Sequence, residues 1–205
     1  MAKIKMSRKM TSIDMTAMCD VAFLLLTFFI LTATAKQPEP LPVDTPASTV
    51  QTKLPENDLA TITIGKKGTV FFGVTGREVR RQTLDAMSKK YNIPFSNEEM
   101  DRFALIETFG APMQSLKQII AMNGTERNKT PLQTGIPKDS LNNQLADWIQ
   151  YARVATIAVD NKELSIAIKG DAKEQYPQIR RIMDILQDQK INNFNLVTGL
   201  RGKNF

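Results

Sequence analysis

Asp20 heads an otherwise apolar run, and its type and setting imply chemistry more directly than any other residue in the chain. Residues 21–35 (VAFLLLTFFILTATA) carry no charge and only three hydroxyls, those of Thr27, Thr32 and Thr34. As a helix that run spans about 22 Å, short of the roughly 30 Å hydrocarbon core of a bilayer. A membrane span must therefore begin near Met15 or Thr16 and occupy residues 15–35, which places Asp20 inside it, beyond the first turn. An ionised aspartate at mid-membrane costs about 3 kcal/mol on insertion scales, so such a group pairs, faces water or takes up a proton. Removal from water favours the neutral acid. One charge crossing about 100 mV is worth roughly 2.3 kcal/mol, the same order as that cost. A membrane potential can thus drive loading and unloading of the carboxyl. Asp20, Thr27 and Thr34 are seven residues apart and share one helix face with modest drift. That face is the expected proton path, with Asp20 as carrier and Thr27 and Thr34 lining it. A competing assignment puts Asp20 at the cytoplasmic edge as a helix-start residue. For Thr34 the competing role is a bond to its own backbone.

The flanks set orientation. Lys3, Lys5, Arg8 and Lys9 precede the span and hold residues 1–14 in the cytoplasm, sending the C-terminal part outward. The expected location is an inner membrane, single-pass, with an extracytoplasmic C-terminal domain. A cleaved secretory signal shares the basic start, the apolar stretch and an A-x-A exit at Ala33-Thr34-Ala35. Cleavage there would release a secreted binding module beginning at Lys36. An aspartate at the head of a signal's apolar region gains nothing, which favours a retained anchor in the lipid bilayer.

Composition removes several functions. The 205 residues carry a net charge of +6. Without residues 1–35 there remain 23 basic against 19 acidic side chains, dispersed and often offset by neighbours, as at Arg77-Glu78. A nucleic-acid face needs a basic stripe with stacking aromatics, and none is present, so no nucleic-acid partner is expected. There is no histidine, and Cys19 is the single cysteine, which removes His-based triads, most metal sites and any disulfide within the chain. Gly65, Gly68, Gly73 and Gly76 match no phosphate-binding fingerprint. The chain is expected not to be an enzyme and to need no cofactor, with protons as the coupling ion.

The rest of the chain must present this helix to something. Residues 36–57 are rich in proline and threonine and predict an extended, flexible tether, reaching up to about 60 Å. Residues 58–205 form the expected outer domain. Thr61-Ile62-Thr63-Ile64, a turn at residues 65–68 and Val70-Phe71-Phe72 predict a hairpin. A helix follows over residues 77–91. Ser96 caps a predicted helix over 97–109, and Pro112 opens another to Met122. A loop over 123–138, a surface insertion or a docking surface, leads to a helix from Asp139 or Ser140. Residues 153–159 fit either its continuation or a strand. Leu164, Ile166 and Ile168 alternate as a strand. Pro177 opens a helix with an Ile179, Ile182, Met183, Leu186 stripe, and residues 194–198 form a closing strand. The fold class is α+β: one N-terminal transmembrane helix, a flexible tether, then a small mixed sheet with helices on one face and a helical insertion at 92–138.

The run Asp14-Met-Thr-Ala-Met-Cys-Asp20-Val-Ala-Phe-Leu-Leu-Leu-Thr27-Phe-Phe resembles the signature of the ExbD/TolR family. There an acid sits in an apolar helix just after an I-D/N-x-T-P-M-x-D motif. Ile166-Ala-Ile-Lys-Gly-Asp171, Tyr176-Pro177, Ile182-Met183-Asp184 and Phe194-Asn-Leu-Val-Thr198 resemble the family's closing strand–helix–strand. The likeness covers about residues 8–36 and 160–200 and is nearer to ExbD than to TolR. Two departures stand out: Ala17 replaces the motif's proline, and segment 92–138 is longer than the family generally has. The resemblance implies a homodimer whose two membrane helices sit inside an ExbB- or TolQ-like polytopic pentamer. It also implies that the carboxyl at Asp20 binds and releases protons, with Thr27 on the same face. It further implies a bacterial inner membrane with the C-terminal domain in the periplasm, where that domain passes work to a TonB-like protein that drives outer-membrane uptake. A TolR-like member would act on envelope integrity instead.

Overall fold

The computed structural model describes residues 15–33, 40–48, 54–129, 132–139, 142–172 and 176–200. They divide into two units at Pro38/Glu39. In the first, residues Met15–Thr32 form α1. Ala33 closes it by donating its N–H to the Phe29 carbonyl at 2.9 Å.

The second unit is built on five strands: β2 (Leu59–Ile64), β3 (Val70–Val74), β4 (Thr108–Phe109), β5 (Ser165–Gly170) and β6 (Asn195–Val197), in the order β4-β3-β2-β5-β6. The hairpin β2–β3 is antiparallel with Ile62 opposite Phe72, while β5 runs parallel to both β2 and β6. Alternation puts Ala60, Ile62, Ile64, Val70, Phe72, Val74, Ile166 and Ile168 on one face. That face is buried with α2 (Arg77–Tyr91), α6 (Gln144–Asp160) and α7 (Tyr176–Asp188), as expected for helices on one side of a mixed sheet. Ile182, Ile185 and Leu186 of α7 are buried in the core and Ile179 and Met183 pack partly buried against it, so the stripe visible in the sequence is the packed face, with Ile185 added.

Between β3 and α6 the second unit departs from the sequence pattern in two places. The helix predicted over 97–109 is shorter. α3 (Asn97–Ala104) begins on a capping box, in which Ser96 Oγ accepts from the Glu99 N–H at 3.2 Å and Glu99 Oε2 accepts from the Ser96 N–H at 2.7 Å. It then stops, because Thr108 and Phe109 are taken up by Gly73 and Phe72 as a fifth strand. Gly73 permits that approach, since a Cβ there would lie 2.7 Å from Thr108 Oγ1. The segment predicted as a loop over 123–138 contains a short helix, α5 (Gly124–Lys129), after α4 (Met113–Ala121). Its end extends the sheet edge, with the Ile136 N–H donating to the Val70 carbonyl at 2.8 Å.

Segment 92–138 is thus part of the core rather than an appendage. It supplies Phe103, Ile106, Phe109, Met113, Leu116, Ile120 and Ile136 to the same buried cluster as the sheet. At its centre Trp148 of α6 stacks on Phe103 (centroids 5.9 Å apart) and meets Phe109 edge-on at 4.8 Å.

The open choice at 153–159 resolves as helix: α6 continues to Asp160 and ends on Asn161 in a left-handed conformation. Ala152, Ala155 and Thr156 are buried at helical spacing, and Thr156 Oγ1 donates to the Ala152 carbonyl at 2.8 Å. α6 also begins later than expected, at Gln144, because the Asn143 side chain accepts from the Ala146 N–H at 3.1 Å and acts as the cap.

Part of the span expected to be a tether is held within the second unit. β1 (Ala47–Ser48) pairs in parallel with β7 (Gly199–Leu200). The Ala172 N–H donates to the Asp44 carbonyl at 2.7 Å, and Leu41 fills the space that a side chain on Gly65 would need.

Helices α2 and α6 are clasped by polar contacts as well as packing. Tyr91 Oη donates to Asp147 Oδ2 at 2.7 Å, and Lys90 forms an ion pair with the same carboxylate. Burial first, and then the bond to Asp147, raise the pKa of the Tyr91 phenol above its ordinary 10.0. The folded state therefore holds this proton more tightly than the unfolded chain does. The associated stability is complete below the unfolded value and is lost as pH rises above about 10. Tyr91→Phe is expected to flatten that alkaline loss, which thermal melts of the two proteins from pH 8 to 11 would reveal. Identical alkaline slopes would remove Tyr91 as the cause.

Candidate functional site

α1 is apolar except at Asp20 and its few hydroxyls, and no residue of it is buried within the chain. Thr27 alone is half-exposed; the other side chains are exposed. At 18 residues it is about 27 Å long, close to the thickness of a bilayer's hydrocarbon core. By length and composition it is the single candidate span among the described residues. Its apolar surface (Phe23, Leu24, Leu26, Phe28, Phe29 and Ile30, each more than half exposed) has no partner among the described residues of its own unit. In water such a surface is unfavourable by roughly 25 cal/mol per Å², so a lipid or protein environment must cover it.

Asp20 lies in the second turn of the described helix, and among the described residues it has no ion pair or hydrogen-bond partner. The carboxyl is presented to whatever surrounds α1. Thr27 stands on the same face two turns on, about 10 Å away along the axis. No direct bond between the two is possible at that distance, so exchange of a proton between them requires intervening water. Thr27 Oγ1 donates its hydrogen to the Leu24 carbonyl at 2.9 Å, leaving its oxygen lone pairs free to accept from such water. Thr32 does the same toward the Phe28 carbonyl at 2.8 Å. These hydroxyls therefore satisfy themselves within the helix without cost to its apolar packing. Thr34, expected on the same face, lies outside the described residues.

The arrangement can hold one exchangeable proton on a carboxyl carried by an apolar helix, with one hydroxyl oxygen along the same stripe. Asp20 and Thr27 are brought onto that stripe by α-helical geometry alone. The second unit contributes no group of three or more acidic, histidine or cysteine side chains placed to hold a metal among the described residues. The sequence reading singled out neither Arg80 nor Glu107, which line an open cleft at the end of β3. They are far apart in the chain, and only the pairing of β4 with β3 joins them. The family model for "Biopolymer transport protein ExbD/TolR" matches residues 6–200, running from the acidic motif through the segment at 92–138 to the closing strands. No curated protein and no solved structure matches the chain.

Proposed function

The chain belongs to the ExbD/TolR family of biopolymer transport proteins, and from that premise we propose that it is the proton-carrying subunit of an inner-membrane energy-coupling complex. In this reading α1 spans the membrane with residues 1–14 in the cytoplasm and the outer domain in the periplasm. Two copies place their helices within a ring of ExbB- or TolQ-like polytopic subunits. That ring covers the exposed apolar surface of α1 and surrounds Asp20 with a low-dielectric wall broken by water. Protons moving down the gradient load and unload Asp20, with Thr27 and Thr34 along the route. The resulting motion reaches a TonB-like protein through the outer domain and drives uptake across the outer membrane.

The observation that carries this reading is the single carboxyl within an apolar, unpartnered helix of membrane-spanning length. The clustered bases at Lys3, Lys5, Arg8 and Lys9 support the orientation.

The full chain bearing a C-terminal tag is expected to co-purify from membranes with a polytopic partner and to retain its N-terminal residues. A mature protein starting at Lys36 would instead identify a secreted module and end the motor reading. Retention of the purified complex on peptidoglycan, with no affinity for a TonB-like protein, would assign the TolR-like role in envelope integrity.

A further inference from the structure

A cleft of about 370 Å³ opens in the outer domain where the end of β3, the first turn of α2 and β4 meet. Leu59, Thr61, Gly73, Arg80, Glu107 and Thr108 are among the residues lining it. Beneath it, a cavity of about 10 Å³ shares Gly73, Arg80 and Glu107 and reaches Trp148. Arg80 is fixed at the boundary between the two. Its Nε donates to the Ala104 carbonyl and its Nη1 to the Val74 carbonyl, both at 2.8 Å. The guanidinium has five N–H groups, so the remaining ones have no acceptor among the described residues. Burial lowers the Arg80 pKa, opposed by the charge of Glu107 and reinforced by that of Arg77; the group nonetheless stays cationic.

A clamp between two carbonyls would need only the two bonds already made. Here a partly desolvated cation, held in one plane, keeps spare donors beside an open volume within the usual range of small-molecule sites. A planar fork of this kind matches a carboxylate through two parallel hydrogen bonds. We propose that the cleft is a binding site for a ligand ending in a carboxylate, gripped by Arg80. Thr61 and Thr108 offer hydroxyls to it, and Leu59 offers an apolar wall. Glu107 acts as an internal competitor that weakens binding. The site exists only because segment 92–138 delivers Ala104, Glu107 and Thr108 to the edge of β3, and it is independent of the chemistry at Asp20.

Trp148 is the chain's one tryptophan and lines the small cavity that shares Arg80 and Glu107 with this cleft, so its fluorescence reports on the side chains behind the cleft wall. The full chain in neutral detergent would be titrated with N-acetyl-alanine, N-acetyl-alaninamide and trialanine. A saturable change with the two carboxylates is expected, with the amide at least tenfold weaker. Equal affinity for both acids would assign the site to small free acids, and tighter binding of trialanine would assign it to peptide C-termini. Arg80→Gln is expected to abolish the response. Because that variant also loses the clamp, Thr61→Leu serves as the second test: it fills the cleft from β2, leaves both Arg80 bonds in place, and is expected to abolish binding with an unchanged melting temperature. Glu107→Gln is expected to tighten binding several-fold. No saturable change, equal response to the amide, or wild-type titration of Thr61→Leu and Glu107→Gln would overturn the proposal.

Discussion

Asp20→Asn is expected to leave the chain in the membrane and assembled with its polytopic partner, while energised uptake falls to the level of cells lacking the protein. Asparagine keeps the volume and much of the hydrogen-bonding capacity of aspartate, so contacts around α1 change little. What it removes is the ionisable carboxyl that the proposed function requires. A neutral amide at this position also lowers the cost of inserting the helix, since the charged form is the expensive one. Loss of activity therefore cannot be attributed to weaker insertion. Asp20→Glu retains a carboxyl on a longer arm and is expected to restore part of the activity. The measurements are co-purification and uptake of an energy-dependent substrate in the same cells. Full uptake with asparagine at position 20 would mean that the carboxyl carries no proton.

Trp148→Ala is expected to destabilise the C-terminal unit by about 3–5 kcal/mol, the range for truncating a large aromatic side chain in a core. Domains of this size have only about 5–15 kcal/mol in total, so the variant would sit near the edge of folding. Trp148 is 1% exposed and its ring touches Phe72, Phe103 and Phe109. Two of those three partners come from segment 92–138, so the loss should loosen that segment as well as the sheet. Trp148→Phe is expected to cost much less. It preserves most of the aromatic contact and removes the indole N–H, which is buried without a hydrogen-bond partner among the described residues and so carries a desolvation penalty of about 1–3 kcal/mol. Denaturant titration of the three proteins measures both effects. An alanine variant as stable as the phenylalanine one would show that the aromatic cluster contributes little.

Chain pattern alone determined the parts whose physics is local. An apolar run with one acid and a basic leader predicts a membrane-length helix, and seven-residue spacing puts Asp20 and Thr27 on one stripe, because helical geometry depends only on neighbours in the chain. The hairpin, α2, α4 and α7 were legible for the same reason: alternation, periodicity and end signals such as Pro112 lie within a few residues of what they control.

Tertiary structure decided whatever depends on distant partners. Thr108 and Phe109 continue a helical pattern, but the open edge of β3 at Gly73 offers hydrogen bonds that a last helical turn cannot match. Residues 153–159 are rich in β-branched side chains, yet they stay helical because Ala152, Ala155 and Thr156 must face the core. The same kind of long-range contact docks residues 41–48 of the expected tether, through Leu41 on Gly65 and the β1–β7 pair. It also brings Arg80 and Glu107 to one cleft. Separation along the chain hides such pairings, since their free energy arises only once the sheet has formed.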